Sequence, residues 1–169
     1  MSNDPMPFDS LVFGRRTRQN HALEHATVTI LSGMIPNLSI SARSHGDGFI
    51  VFGDVDLGLL RRAVDEALAR LQAGEAELAI HPNCGTNIAV GISLVTIGTL
   101  LGLASSQVRT RIVTAAASSL AGVFAARPLG EYVQRHFTTL PDLAGVRVTA
   151  INRRTFLGMT FIEVRTVQE

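Results

Sequence analysis

The chain has 169 residues and a mass of 18.1 kDa, enough for one domain with a hydrophobic core and short for two. Its 15 basic and 14 acidic residues give a formal charge of +1, and it contains no Trp and one Tyr. The sequence therefore lacks the cationic surface and the stacking aromatic residues that nucleic-acid binding uses, and we expect no nucleic-acid partner.

The N-terminal residues 1–14 contain two prolines and no regular apolar period, so we expect a flexible lead-in to a single domain at residues 15–169. This start lacks the basic and then apolar layout of a secretory signal, which favours a cytosolic origin. Apolar residues then recur at helical spacing from about residue 15 to 32, and Gly33 ends the predicted first helix.

Alternating apolar residues at 38–42 and 49–52 flank two glycines and predict a β-hairpin. A second, amphipathic helix follows, with Asp54 or Asp56 as its predicted N-terminal cap. Residues 77–80 have the composition of a third strand, which would present the next loop at its end.

Two uncharged runs follow, and we predict that they form a helical hairpin at about residues 86–127. The centre of the first run, 88–104, is apolar enough for a transmembrane helix of about 20 residues. The second run, 112–126, would be roughly 22 Å long, shorter than a bilayer core of about 30 Å. A buried helix pair in a soluble fold is therefore the alternative to a membrane hairpin.

Small residues recur every four positions on both predicted arms, as Gly98 and Gly102 on the first and Ser118 and Gly122 on the second. Such strips let membrane helices pack closely, and the Gly98/Gly102 strip would also suit a homo-oligomer or a partner membrane protein. Because a hairpin returns to the side from which it starts, we expect a membrane protein whose globular part is cytoplasmic.

Two further alternating segments, 146–151 and 160–167, predict a second β-hairpin at the C-terminal end. The predicted fold class is therefore α+β, with about five mostly antiparallel strands and two amphipathic helices. A two-helix hairpin, which we predict to be transmembrane, interrupts this domain.

The string His21-Ala-Leu-Glu24-His25 lies on the first predicted helix. Residues four apart share a helix face, so His21 and His25 can each place a ring nitrogen on one zinc ion. Glu24 is placed to act as a general base on a water molecule. The alternative is a helix whose histidines bond backbone groups and whose Glu24 is solvated.

The spacing H-x-x-E-H resembles the motif of the inverzincin metallopeptidases. This resemblance implies that His21 and His25 bind zinc and that Glu24 is the base of a peptidase-like hydrolase. Inverzincins are much larger chains, and no downstream glutamate here stands out as the further ligand that they use.

The loop His81-Pro-Asn-Cys84 supplies two more candidate zinc ligands, His81 and Cys84, because a His-x-x-Cys turn lets both side chains converge on one ion. Three protein ligands would leave an open position for catalysis, and four would make the site structural. Alternatively, Cys84 is a small buried apolar group and His81 an edge residue. We interpret His45 as a turn residue and His136 as a surface residue.

Taken together, the strings NHALEHA at 20–26 and HPNCGTN at 81–87, ahead of an apolar hairpin, resemble an uncharacterised family of small bacterial membrane-associated proteins. The resemblance covers about residues 15–130. It implies this architecture and the pairing of the two motifs, and it brings no activity with it.

The sequence therefore predicts a small membrane-anchored zinc-binding protein. If it is an enzyme, it is a zinc-dependent hydrolase with Glu24 as general base. The alternative is a non-enzymatic membrane module that binds a partner, or a cofactor such as a tetrapyrrole, through the same histidines.

Overall fold

A computed structural model describes residues 14–104 and 108–168, so the lead-in expected at 1–14 lies outside the described residues except for Gly14. The chain divides into two compact units. The first combines the described residues 14–81 and 137–168 and is called the globular unit below. The second, residues 82–136, is called the helical unit.

The globular unit contains two α-helices, α1 (Arg15–Met34) and α2 (Leu57–Gln72). Helix α1 runs two residues beyond its predicted end. Of the two predicted N-terminal caps of α2, the observed one is Asp56, whose carboxylate accepts a hydrogen bond of 2.9 Å from the Leu59 amide. On the apolar face of α2, Leu60, Val64 and Leu71 are buried, as the amphipathic pattern predicts, whereas Leu57 and Leu68 are half-buried.

Four strands form one antiparallel sheet in the order β1-β2-β4-β3. They are β1 (Ser41–His45), β2 (Gly48–Phe52), β3 (Val146–Phe156) and β4 (Met159–Gln168). Side chains of α1, α2 and one face of the sheet form a single hydrophobic core. The α+β class predicted from the sequence is confirmed.

The strand predicted at residues 77–80 is wrong, and the described sheet accordingly has four strands where about five were expected. These residues lie in a 3₁₀ helix, Ala76–Ala79, with hydrogen bonds from the Leu78 amide to the Glu75 carbonyl and from the Ile80 amide to the Glu77 carbonyl. A four-residue segment with three apolar residues fits one helical turn as well as a strand, and the pattern alone cannot separate the two.

The helical unit consists mainly of α3 (Gly85–Leu103) and α4 (Val108–Val133), which continues into a π-helical turn, Gln134–Thr138. The two α-helices are about 28 and 39 Å long at 1.5 Å per residue, and both are long and apolar enough to cross a membrane. Many of their large apolar side chains are exposed, Leu101 at 70% and Phe124 at 74%.

Helices α3 and α4 pack through the small residues that the sequence singled out. A Cβ atom on Gly98 would lie 2.7 Å from the Ser118 carbonyl oxygen, and one on Gly102 would overlap the Ala115 backbone. The Thr99 and Ser119 hydroxyls also form a 2.7 Å hydrogen bond between the helices. Close helix packing of this kind needs small side chains. An oligomer through the same strip stays a prediction.

Candidate metal centre

The core of the candidate site is the histidine pair of α1, His21 and His25. Four residues separate them, so both project from one face of the helix. Their ring centroids are 4.2 Å apart with the planes inclined at 64°, and their candidate ligand atoms lie within 4.8 Å of each other. The helical repeat thus brings the two imidazoles together as the sequence predicts.

Both histidine rings are fixed by backbone carbonyl groups. The Nδ1–H of His21 donates to the Thr138 carbonyl oxygen at 2.9 Å, and that of His25 donates to the Ala79 carbonyl oxygen at 2.7 Å. A carbonyl oxygen only accepts, so each Nδ1 carries the proton and the lone pair of each neutral ring is on Nε2. Metal-binding histidines are typically held in this way through their second nitrogen.

The third histidine, His81, lies beside this pair. Its ring centroid is 5.8 Å from that of His25. With Zn–N bonds of 2.0–2.1 Å, two imidazoles on one tetrahedral ion have ring centres about 5 Å apart, and the observed 4.2 and 5.8 Å bracket that value. Burial lowers the pKa of His81, which favours the neutral, ligand-competent ring.

The carboxylate of Glu24 is buried, with 7% of the residue exposed. The alternative interpretation of this helix is therefore wrong for Glu24, which it expected to be solvated, but its expectation that the histidines bond backbone groups is observed. Burial raises its pKa, against the opposing effects of nearby His21 and of hydrogen bonds from the side chain and backbone of Ser44. Among the described residues, none donates a hydrogen bond to its buried Oε2. A carboxylate oxygen therefore lies desolvated on the helix that carries the two histidines.

Cys84 lies at the start of the helical unit, where it caps α3. Its Sγ accepts a hydrogen bond of 3.4 Å from the Thr86 amide. The Asn87 side chain donates to the Pro82 carbonyl at 2.8 Å and so fixes the loop that precedes the helix.

Three supporting residues were missed by sequence reasoning. Asn20 donates to the His45 carbonyl at 2.8 Å and accepts at 2.7 Å from the Thr166 hydroxyl, which ties α1 to the β1–β2 turn and to β4. Ser44 contacts Glu24, and Thr138 supplies the carbonyl for His21. Asn20 directly precedes the H-x-x-E-H string, and this position beside the motif was a sequence signal for a supporting role. The carbonyl of Thr138 leaves no mark in a sequence.

Of the two remaining histidines, His45 ends β1 next to the turn, as expected. Its Nδ1 accepts a hydrogen bond of 3.3 Å from the Asp47 amide. His136 is exposed, also as expected, and its ring centroid lies 4.4 Å from that of Tyr132. Neither histidine belongs to the group around His25.

Comparison with known proteins adds a family and a relative. A family model described as a domain of unknown function, DUF6391, matches residues 16–151. An uncharacterised protein of the cyanobacterium Picosynechococcus sp. is 42% identical over 137 residues, which are 72% of this chain and 65% of that protein. The chain thus spans just under two thirds of the relative's length. No solved structure is a significant match.

Proposed function

The chain belongs to DUF6391, a family of domains of unknown function, and for this member we propose the function of a membrane-anchored zinc-binding protein. His21 and His25 are the primary ligands. The observation that carries the proposal is the pair of Nδ1–H bonds to the Thr138 and Ala79 carbonyls. These bonds select the tautomer in which Nε2 is the ligand atom, and they fix both rings before a metal ion binds.

His81 and Cys84 complete the proposed ligand set. His81 lies beside His25, and its ring is held neutral by burial. Cys84 follows His81 by three residues, so their Cα atoms are at most about 11 Å apart through the chain. A thiolate ligand also suits the N-terminal end of α3, because the helix dipole favours negative charge there. Zinc accepts such mixed imidazole and thiolate ligands.

The proposed membrane anchor is the pair α3 and α4. Large apolar side chains along both helices are exposed, which supports a lipid environment around them. The chain enters this unit after His81 and leaves it before Phe137, and both ends belong to the globular unit. Two spans therefore return the chain to its starting side, which we place in the cytoplasm.

Catalysis is the second part of the proposal, and it depends on Glu24. Zinc at such a site would supply Lewis-acid activation of water. Glu24 would accept the proton that the water loses, because its desolvated carboxylate lies beside His21. The reaction class would be metal-assisted hydrolysis, with the substrate class open. Catalysis needs one coordination position left for water, whereas four protein ligands would close the site.

Metal content tests the first part. The wild type, purified in detergent without chelators, should contain about one zinc ion per chain in elemental analysis, and a His21→Ala, His25→Ala double variant should contain none. His45→Ala is the matched control, since His45 ends β1 outside the group, and it should keep its zinc. Wild-type protein without zinc refutes the proposal. A visible absorption band would point instead to a tetrapyrrole.

Glu24→Gln separates binding from catalysis. The amide keeps the size of the side chain but cannot take up a proton, so zinc content should stay at the wild-type value while hydrolysis is lost. Peptide and ester panels provide the activity assay. Hydrolysis that survives Glu24→Gln would remove Glu24 from the mechanism and leave the zinc site standing.

Membrane anchoring has its own test. Cell membranes washed with carbonate at high pH release peripheral proteins and retain proteins whose helices span the bilayer. The chain should stay in the membrane pellet. Its release into the supernatant would refute the anchor without affecting the zinc measurement.

A further inference from the structure

The two longest strands of the sheet, β3 and β4, end in an apolar tip. The tip comprises residues 156–159 and exposes Phe156 at 64%, Leu157 at 83% and Met159 at 60%. Phe156 and Met159 are directly paired across the strands, so the connecting turn has two residues, Leu157 and Gly158. An exposed apolar cluster of this kind on a globular surface is typical of an interaction site.

The backbone conformation of the turn does not favour the residue that stands at its first position. Leu157 has φ 49° and Gly158 has φ 77°, the left-handed conformation that a type I′ hairpin turn has at both positions. Asn or Asp is the usual residue at the first of these positions, whereas a branched apolar side chain is disfavoured there. The chain therefore carries leucine at the most exposed point of the hairpin against the preference of the backbone.

The apolar surface continues from the tip along the outer face of the sheet, the face opposite the core. Ile162 and Val164 are buried, so Phe161, which precedes them, faces outward with Met159. Phe161 pairs with Phe52 across the strands, with their ring centroids 5.9 Å apart. Aromatic side chains thus extend the apolar tip by one further row.

Positive charge lies on the same outer face. Arg43, Arg154 and Arg165 are exposed at outward positions, and Glu163 lies among them, 3.3 Å from Arg154 and 3.1 Å from Arg165. These four residues carry three positive charges and one negative charge, a net charge of +2. An apolar point backed by net positive charge complements a bilayer with anionic headgroups.

We propose that the tip, residues 156–159, inserts into the surface of an anionic lipid bilayer while the arginines of the outer face contact its headgroups. This inference rests on the proposed membrane anchor, because the anchor keeps the globular unit at a bilayer. A lipid surface is favoured over a protein partner because the charge that flanks the exposed apolar tip is cationic and complements anionic headgroups.

The test uses the full chain in vesicles with one fluorescent reporter. The protein has no Trp, so Met159→Trp introduces a single indole at the tip. The vesicles contain equal parts of phosphatidylcholine and phosphatidylglycerol, with brominated acyl chains that quench any indole in contact with them. Val167→Trp is the matched control, since Val167 lies on the same face of β4, 40% exposed and about 27 Å along the strand.

Lipid quenching of the position-159 indole, with an unquenched indole at position 167, is the expected result. On the reporter background, Arg154→Gln should lower the ratio of inserted to withdrawn tip about fivefold, the effect of one basic residue near an anionic surface. Leu157→Asn should also lower quenching, while the melting temperature stays the same or rises because Asn suits the turn. A fall in melting temperature would reveal unfolding as a separate cause.

Three outcomes would overturn the inference. If the protein pellets with the vesicles but the position-159 indole is not quenched, the tip does not insert and the anchor stands. If the protein does not pellet, both proposals fail together. If the emission is shifted but not quenched, and the shift grows with the protein-to-lipid ratio, the tip contacts a second copy of the chain.

Discussion

His25→Leu gives the sharpest test of the metal centre, because His25 lies between His21 and His81 and is only 3% exposed. Leucine has a similar volume, so the main losses are one ligand and the 2.7 Å hydrogen bond to the Ala79 carbonyl. The unpaired carbonyl should cost the zinc-free protein about 1–3 kcal/mol of unfolding free energy.

The response to zinc should distinguish the variant more clearly than its stability does. Zinc at 100 times its dissociation constant stabilises a one-site protein by about 2.7 kcal/mol. For a chain of this length, that corresponds to a rise in Tm of roughly 5 to 11 °C in the wild type. The Tm of His25→Leu should hardly respond, because the middle ligand of the group is missing.

Thermal unfolding followed by circular dichroism in detergent, with a chelator and then with zinc, measures both quantities. His45→Gln is the control histidine variant and should keep the zinc-induced rise. A rise in His25→Leu equal to that of the wild type would refute the assignment of His25 as a ligand, whatever happens to its zinc-free stability.

Three further predictions concern the residues around the site and the hairpin. Burial raises the pKa of Glu24 above its usual 4.5 in the folded chain, so the charged carboxylate costs stability at neutral pH. Glu24→Gln should therefore raise the Tm of the zinc-free protein at pH 7.5. The gain should disappear below pH 4.5, because there the carboxyl group is protonated in both the folded and the unfolded chain. An equal gain at both pH values would contradict this reasoning. Thr166→Val removes the 2.7 Å hydrogen bond to buried Asn20 and should lower the unfolding free energy, measured by urea titration, by about 1–3 kcal/mol. An unchanged unfolding free energy would show that the hydrogen bond is dispensable. Gly98→Leu would push a side chain into the Ser118 carbonyl and should separate α3 from α4. Disulfide cross-linking between cysteines engineered on the two helices should then be lost. Unchanged cross-linking would rule out this packing.

Local pattern was sufficient for most of the elements. The i, i+4 spacing placed both histidines on one helix face, and the turn residues between alternating segments located the β1–β2 hairpin, although β1 lies at 41–45 and was predicted at 38–42. The pattern was insufficient at residues 77–80, where a short apolar run did not distinguish a strand from a 3₁₀ helix. It also underestimated α4, which continues through Arg127 and Pro128 to Val133, because a change in polarity does not by itself end a helix.

The sequence by itself determined the α+β class, the apolar hairpin and the pairing of His21 with His25, since each follows from periodicity along the chain. Only the tertiary structure decided how the histidines are held. The carbonyls of Thr138 and Ala79 lie 117 and 54 residues from the rings that they fix, and every residue carries such a carbonyl. Burial of Glu24 against Ser44 is likewise a product of helix–sheet packing, because neighbours distant in sequence set the polarity around a side chain.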